Sequence, residues 1–114
     1  MTIDELIEQA HRTARSKGWW DEGVEHRPLG DQFANFHAEL SEAWEEYRAG
    51  HPLDEIRLDR GAAPHGFVVE LADVFIRIAD TLGAYGLEEA FANALEHKLA
   101  YNQTREHRHG GKRA

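Results

Sequence analysis

The chain has 114 residues, of which 41% are hydrophobic and 30% charged, so it fits a single domain with a modest core. It contains no cysteine, which excludes disulfides and thiolate metal sites and agrees with a reducing cytoplasm. No segment approaches the ~20 apolar residues of a membrane span, and the N-terminal residues lack an apolar signal core. The net charge of −8 argues against general nucleic-acid binding. We therefore expect a cytoplasmic protein that binds neither nucleic acid nor membranes.

The charge is unevenly distributed along the chain. Residues 98–114 contain five basic residues and one acid, which gives this segment a charge of +4 and leaves −12 for residues 1–97. An acidic body beside a basic segment is suited to holding a cation and an anion next to each other.

The first half of the chain predicts two helices joined by a loop. The first helix runs over Ile3–Ser16, because Thr2 and Glu5 make a capping box in front of it. Residues 18–30 lack helical periodicity and are punctuated by glycine and proline, which predicts a loop. The second helix is predicted over residues 31–49, with a glycine as its C-terminal stop.

The second half predicts two more helices after a connector over residues 50–65. Residues 66–85 form a helix that is apolar on nearly every side, which indicates burial at the centre of the fold or in a subunit interface. A fourth helix follows over residues 87–105. We therefore predict an all-α fold, a four-helix bundle, with one domain over 1–105 and a basic polar tail over 106–114.

The second predicted helix carries two adjoining sectors. Its apolar sector, expected to face the core, is formed by Phe36, Leu40, Ala43 and Tyr47. Glu39, Glu42 and Glu46 lie within about 60° of each other on the neighbouring sector. Glu45 points away from both sectors and is expected to be solvated.

Two acidic pairs carry the strongest chemical signal in the chain. Glu39 and Glu42 are three residues apart, as are Glu70 and Asp73, so each pair projects from one face of its helix. Four carboxylates brought together repel each other unless a cation neutralises them, and oxygen ligands favour Mg²⁺ or Mn²⁺. The other interpretations are a solvated face for the first pair and, for the second, a salt bridge to Arg77.

The fourth predicted helix offers a candidate phosphate site. Lys98, Asn102 and Arg105 follow one line of this helix, and Tyr101 lies beside them. Cationic donors and an amide suit a phosphate group. The same residues are equally compatible with a solvated face that complements the helix dipole.

Aromatic and histidine residues leave further alternatives open. Trp19 and Trp20 are adjacent in a loop, where they either pack in the core or a subunit contact or stack on a nucleobase. Glu8 and His11 have the spacing used in di-iron bundles, but they lie in a solvent-rich opening helix, and we interpret the match as accidental.

The order and spacing of these segments resemble one known family. GWWDEG at 18–23, FHAELSEAWEEYR at 36–48, GFVVELADVFIRIAD at 66–80 and KLAYNQTREHRHGGK at 98–112 together resemble the all-α nucleotide pyrophosphohydrolases. More narrowly, the chain is similar to short MazG-like proteins of bacterial or phage type. The resemblance covers nearly the whole chain, with 27 residues between the two acidic pairs.

This resemblance implies an enzyme that hydrolyses a nucleoside triphosphate to the monophosphate and pyrophosphate with Mg²⁺, as in nucleotide-pool cleansing. It implies metal binding and catalysis by the four acids, phosphate binding by the basic segment, and homodimers or dimers of dimers with sites near the interface. On this hypothesis Trp19, Trp20 and Phe33 supply the base pocket and Asn35 reads a base edge.

One position departs from the family pattern. Many relatives carry an acid immediately before the first metal-binding Glu, where this chain has Ala38. Glu46 is a candidate substitute as general base; otherwise the metal activates water without one. The alternative functions are a non-catalytic helical module that binds nucleotide or protein around a structural metal, a redox di-metal protein, and a dimerisation module.

Overall fold

The computed structural model describes residues 1–58 and 63–114. Four long helices carry most of the described chain: α1 Ile3–Ser16, α2 Leu29–Arg48, α3 Phe67–Ala84 and α4 Glu88–Thr104. A 3₁₀ turn at Val24–His26 and a four-residue helical turn at Arg108–Gly111 complete the secondary structure, and no β-strand occurs in the described ranges. The all-α prediction is confirmed. The predicted connector is described except for residues 59–62, which lie outside those ranges.

The helix ends follow local chemistry. The Glu5 backbone N–H donates to the Thr2 hydroxyl over 3.1 Å, as predicted for the α1 cap. After α2, Gly50 adopts a φ of +87°, the left-handed conformation that glycine tolerates at a helix end. Helix α2 begins two residues earlier than predicted, because the Pro28 carbonyl accepts hydrogen bonds from the N–H groups of Asp31 and Gln32.

Helix α3 is the centre of the fold, with α1 and α2 packed against it. The buried core between α1 and α3 is formed by Ile7, Ala10 and Ala79, with Leu82 and Phe91 partly buried against it. The apolar character of α3 on nearly every side agrees with contact on two sides. A third side of α3 has no partner among the described residues, and Phe75 on that side is 63% exposed.

Helix α4 contacts α1 and α3 only weakly and buries none of its residues fully. The radius of gyration is 16.8 Å, compared with about 13 Å for a compact domain of this length. One chain therefore forms an open arrangement, in which three helices pack closely and the fourth extends beside them.

The apolar sector of α2 faces the core only in part. Ala43 is 2% exposed, whereas Leu40, Trp44 and Tyr47 are 46%, 56% and 53% exposed. The prediction that Leu40 and Tyr47 face the core is therefore wrong for a single chain. We call Leu40, Trp44 and Tyr47 the α2 stripe, since they lie on one side of the helix. Among the helices described, none is long and apolar enough to cross a membrane.

Candidate metal centre

Helices α2 and α3 bring the two acidic pairs face to face. Glu39 contacts Arg77 in the second half of α3, and Glu42 contacts Glu70 in its first turn. The earlier residue of α2 therefore contacts the later residue of α3, which is the pattern of an antiparallel helix pair. Residues three and four apart on each helix lie on one face, so this pairing aligns both predicted acidic pairs along one seam.

Three of the four predicted acids form a compact cluster. One carboxylate oxygen from each of Glu39, Glu70 and Asp73 lies within 4.8 Å of the others. Glu39 and Glu70 are only 8% and 7% exposed. The prediction that Glu39 lies on a solvated face is therefore excluded, while Glu42 is exposed and reaches the cluster from the rim.

Glu70 has the most perturbed electrostatic environment of the cluster. Burial, followed by hydrogen-bonding contact with Glu42 and Glu39 and by the charges of Glu42 and Asp73, raises the pKa of Glu70 to about 7. A carboxyl group in this position keeps its proton near neutral pH unless a cation takes its place. The cluster is therefore chemically suited to a hard divalent ion bound through oxygen.

Arg77 neutralises part of the cluster from one end. Its Nε donates to Glu39 Oε1 over 2.8 Å. Burial and the charge of Glu39 raise the pKa of Asp73, and the charge of Arg77 opposes that shift. The salt bridge expected for Arg77 therefore forms with Glu39 instead of Asp73, because the guanidinium points across the seam toward α2.

Glu46, the candidate general base, is paired with an arginine of the connector. Both of its carboxylate oxygens accept from Arg57 Nη2, over 2.7 and 2.8 Å. Glu46 is therefore held in an ion pair with the connector, and Arg57 would have to be displaced before this carboxylate acted as a general base. Glu45 is solvated as expected and pairs with Arg48 at the surface.

A cleft of about 730 Å³ opens beside the acidic cluster. Asp73 of the cluster lines it together with Arg77, and Trp19 and Asn35 line it as well. The structure thus brings two of the predicted base-pocket residues to the same cavity as an acid. Phe33 is 54% exposed and is not among the described residues that line the cleft.

The adjacent tryptophans have separate roles. Trp20 is 9% exposed and its indole N–H donates to Asp80 Oδ1 over 2.9 Å, so the core interpretation holds for Trp20. The same oxygen lies 2.9 Å from His11 Nδ1. Trp19 is 63% exposed and remains accessible to a ligand. His11 thus ties α1 to α3 through Asp80.

The candidate phosphate residues lie together on α4. The Lys98 ammonium and the Arg105 guanidinium are 5.4 and 5.5 Å from the ring centre of Tyr101. Lys98, Tyr101 and Asn102 are exposed and Arg105 is half-buried. Within the described part of the chain, no α4 residue lines the cleft, so a single chain does not bring the α4 cations together with the cleft.

Arg27 is a cleft residue that the sequence did not identify. Its guanidinium lies 4.1 Å from the ring centre of Trp20 and 5.5 Å from that of Trp19, and Nη2 donates to Gln32 over 3.2 Å. Arg27 Nη1 is buried 3.9 Å from Asp80 Oδ2 and has no hydrogen-bond partner among residues 1–58 and 63–114. The one signal in the sequence was that Arg27 lies in the same predicted loop, residues 18–30, as the two tryptophans.

No protein-family model matches the chain, and no curated protein or solved structure is significantly similar to it. The functional assignment therefore depends on the acidic cluster, the cleft beside it and the resemblance of the sequence segments.

Proposed function

We propose that the protein is a Mg²⁺-dependent nucleoside triphosphate pyrophosphohydrolase, a short MazG-like enzyme of the all-α type. The observation that carries this proposal is the cluster of Glu39 and Glu70, both buried, with the half-buried Asp73; one oxygen of each lies within 4.8 Å of the others at the edge of a cleft. Bringing three acids together with two of them buried is unfavourable without a cation, and an oxygen-only ligand set fits Mg²⁺ or Mn²⁺.

The four acids would share the metal site. Glu39 and Glu70 would provide buried ligands and Asp73 a half-buried one, and Glu42 approaches Glu70 from the exposed side. When bound, Mg²⁺ supplies neutralisation of the triphosphate charge and a lowered pKa for the attacking water. Because Glu46 is paired with Arg57, this proposal does not require it as general base.

The cleft residues would bind the nucleoside. Trp19 exposes an indole face on which a base stacks, and Asn35 offers both a donor and an acceptor to a base edge. Trp20 is buried and bonded to Asp80, so in this proposal it supports the pocket without contacting the base. Arg77, which also lines the cleft, is placed to meet negative charge near the acids.

A second copy of the chain would complete the site. The α2 stripe and the half-exposed side of α3 present large apolar groups to solvent, which is typical of a surface that binds another protein. We propose a homodimer, or a dimer of dimers, in which such packing closes the open bundle. The same packing would bring Lys98, Asn102, Arg105 and Tyr101 of α4 to the phosphates of a bound nucleotide.

One observation favours a second candidate function. Since the cations of α4 are not joined to the cleft within one chain, the protein is also compatible with a non-catalytic helical module that binds nucleotide or protein around a structural metal. This alternative predicts metal binding without turnover.

The product of hydrolysis distinguishes these functions. We would follow a panel of canonical and modified NTPs and dNTPs by ³¹P NMR, with Mg²⁺ and with EDTA as control. Pyrophosphate and a monophosphate, formed only with the metal, are the expected products. Orthophosphate with a diphosphate would mean a different phosphohydrolase, and no turnover on any substrate would favour the binding module.

A further inference from the structure

The connector folds over the C-terminal end of α2 and the N-terminal end of α3. Arg57 and His65 exchange two backbone hydrogen bonds, of 2.8 Å from the Arg57 N–H and 3.0 Å from the His65 N–H. These bonds hold the two arms of the connector against each other immediately before α3 begins.

The Arg57 side chain then joins the connector to α2. Its Nη2 donates to both oxygens of Glu46, and its Nη1 donates to Glu55 over 3.2 Å. The Arg57 and Glu46 side chains are 26% and 17% exposed, so this ion pair is partly shielded from water. Hydrogen bonds between ionised groups are the stronger kind and fix orientation as well as distance. We call Arg57, Glu46 and Glu55 the Arg57 clamp.

Gly66 joins the same clamp to α3. It has a φ of +147°, and a Cβ on this residue would collide with the carbonyl oxygen of Glu55. The carbonyl of Gly66 accepts the backbone N–H of Glu70 over 2.9 Å. The clamp thus contacts the first turn of α3 through a backbone approach that only glycine permits.

The clamp lies one helical turn from Glu42 on α2 and one helical turn from Glu70 on α3. Glu46 follows Glu42 by four residues, and Gly66 precedes Glu70 by four residues. Between the clamp and Arg77, Glu39 and Glu42 of α2 face Glu70 and Asp73 of α3. Like charges that face each other across the seam push the two helices apart. Arg77 counters this repulsion at the far end by its bond to Glu39.

We propose that the Arg57 clamp is a positioning device that holds the acids of α2 and α3 in register against their mutual repulsion before a cation binds. The proposal rests on the proposed function only in taking a divalent cation as the ligand. Arg57 touches neither cluster nor cleft, and its effect passes through Glu46 and Gly66 to the adjoining turns. A site arranged in advance binds its metal without first having to order two helices.

The distance between the helices tests this proposal directly. Since the chain has no cysteine, Ala49→Cys and Val68→Cys allow two spin labels to be placed at the exposed ends of α2 and α3. Pulsed EPR in EDTA at pH 8, above the pKa of about 7 at which Glu70 loses its proton, then gives the distance distribution. Glu46→Gln, Glu55→Gln and Arg57→Met together remove the charges of all three clamp residues and leave none of them unpaired. Glu8→Gln with Arg12→Met removes a surface ion pair of α1 as the control.

We expect the clamp variant to lengthen and broaden the distance distribution, and the control variant to leave it unchanged. Adding Glu70→Gln to the clamp variant is expected to restore the narrow distribution, because it removes charge from the seam. A clamp variant with the wild-type distribution would overturn the proposal. So would a broadening that Glu70→Gln does not reverse, since the clamp would then be an ordinary packing contact.

Mn²⁺ titration of the same variants separates this proposal from the proposed function. We expect the clamp variant to bind Mn²⁺ about 10-fold more weakly than wild type, the size of effect seen when groups supporting metal ligands are lost. Equal affinities would overturn the clamp while leaving the metal site intact. If wild type binds no Mn²⁺, the proposed function fails, and the distance measurement alone decides whether the clamp opposes repulsion.

Discussion

Glu70 is the residue whose environment departs most from that of a surface carboxylate. It is buried, and three other acids surround it on the seam between α2 and α3. Its charged form is therefore unfavourable without a cation, and we expect both the stability of the metal-free protein and any affinity for a divalent cation to depend strongly on this group.

The metal-free protein is predicted to lose stability as pH rises. The folded-state pKa of Glu70 is about 7, against an ordinary value of 4.5, so the folded state retains a proton that the unfolded state releases. The stabilising effect is complete below pH 4.5 and is lost as pH rises through 7, by about 1–3 kcal/mol in the free energy of unfolding. Urea unfolding in EDTA at pH 5 and pH 8 measures this difference.

Glu70→Gln is the matched variant for this measurement. It should reduce the loss of stability between pH 5 and pH 8, because an amide does not titrate. Saturating Mg²⁺ should do the same for wild type by replacing the proton. An equal pH dependence in wild type and Glu70→Gln would contradict the assignment to this residue.

Trp19 is predicted to contribute to substrate binding and little to folding. Its indole is 63% exposed at the cleft, so Trp19→Ala should raise KM about 10-fold, the loss expected from one base-aromatic stack, with little change in melting temperature. Steady-state kinetics and thermal unfolding check both parts. Phe33→Ala, at a similarly exposed aromatic outside the cleft lining, should leave KM unchanged. Equal effects of the two variants would argue against a base pocket at Trp19.

At the scale of the elements, the junction of the connector with α3 is predicted to tolerate no side chain. Gly66→Ala would force a Cβ against the Glu55 carbonyl in an unfavourable φ, so it should destabilise the protein by about 1–3 kcal/mol. Urea unfolding measures the change. Gly30→Ala in the first turn of α2 is the control, because nothing lies within 4 Å of its Cβ and alanine favours a helix by about 0.5–1 kcal/mol. A neutral Gly66→Ala would mean that the connector moves freely.

The local elements were predictable because they depend on neighbouring residues. The Thr2 cap, the Gly50 stop and the spacing of the acidic pairs all act within one or two turns, and the structure places each within two residues of its prediction. The partners of Arg77 and Glu46 were not predictable in this way. Each lies on a different element, and no periodicity encodes which guanidinium reaches which carboxylate.

The separate roles of Trp19 and Trp20 show the same limit. Both are adjacent indoles in a loop, and only the distant Asp80 decides that Trp20 is buried while Trp19 faces the cleft. Arg27 likewise gains its position from contacts with residues of three different segments. The chemistry of the site was therefore visible in the sequence, whereas its supporting contacts required the fold.

At the scale of the whole molecule, the open arrangement of one chain predicts self-association. The α2 stripe exposes about half of three large apolar side chains, and α4 is only weakly packed. Light scattering after size exclusion should give the mass of a dimer or tetramer. Trp44→Glu should shift it toward the 13.0 kDa monomer, because a charge would be buried at the interface. Ile3→Glu, a charge placed on the exposed start of α1, should leave the mass unchanged. A monomeric wild type would contradict the proposed dimer.

The acids on the α2–α3 seam are proposed to form a divalent-cation site, and the proposed function depends on it. Mn²⁺ binding followed by EPR in wild type, Glu70→Gln and Glu45→Gln tests it most directly, since Glu45 is an exposed acid of α2 outside the cluster. We predict saturable Mn²⁺ binding by wild type and Glu45→Gln, competition by Mg²⁺, and a loss of affinity of about 10-fold or more in Glu70→Gln. Equal Mn²⁺ affinity in all three proteins, or none in the wild type, would contradict the claim.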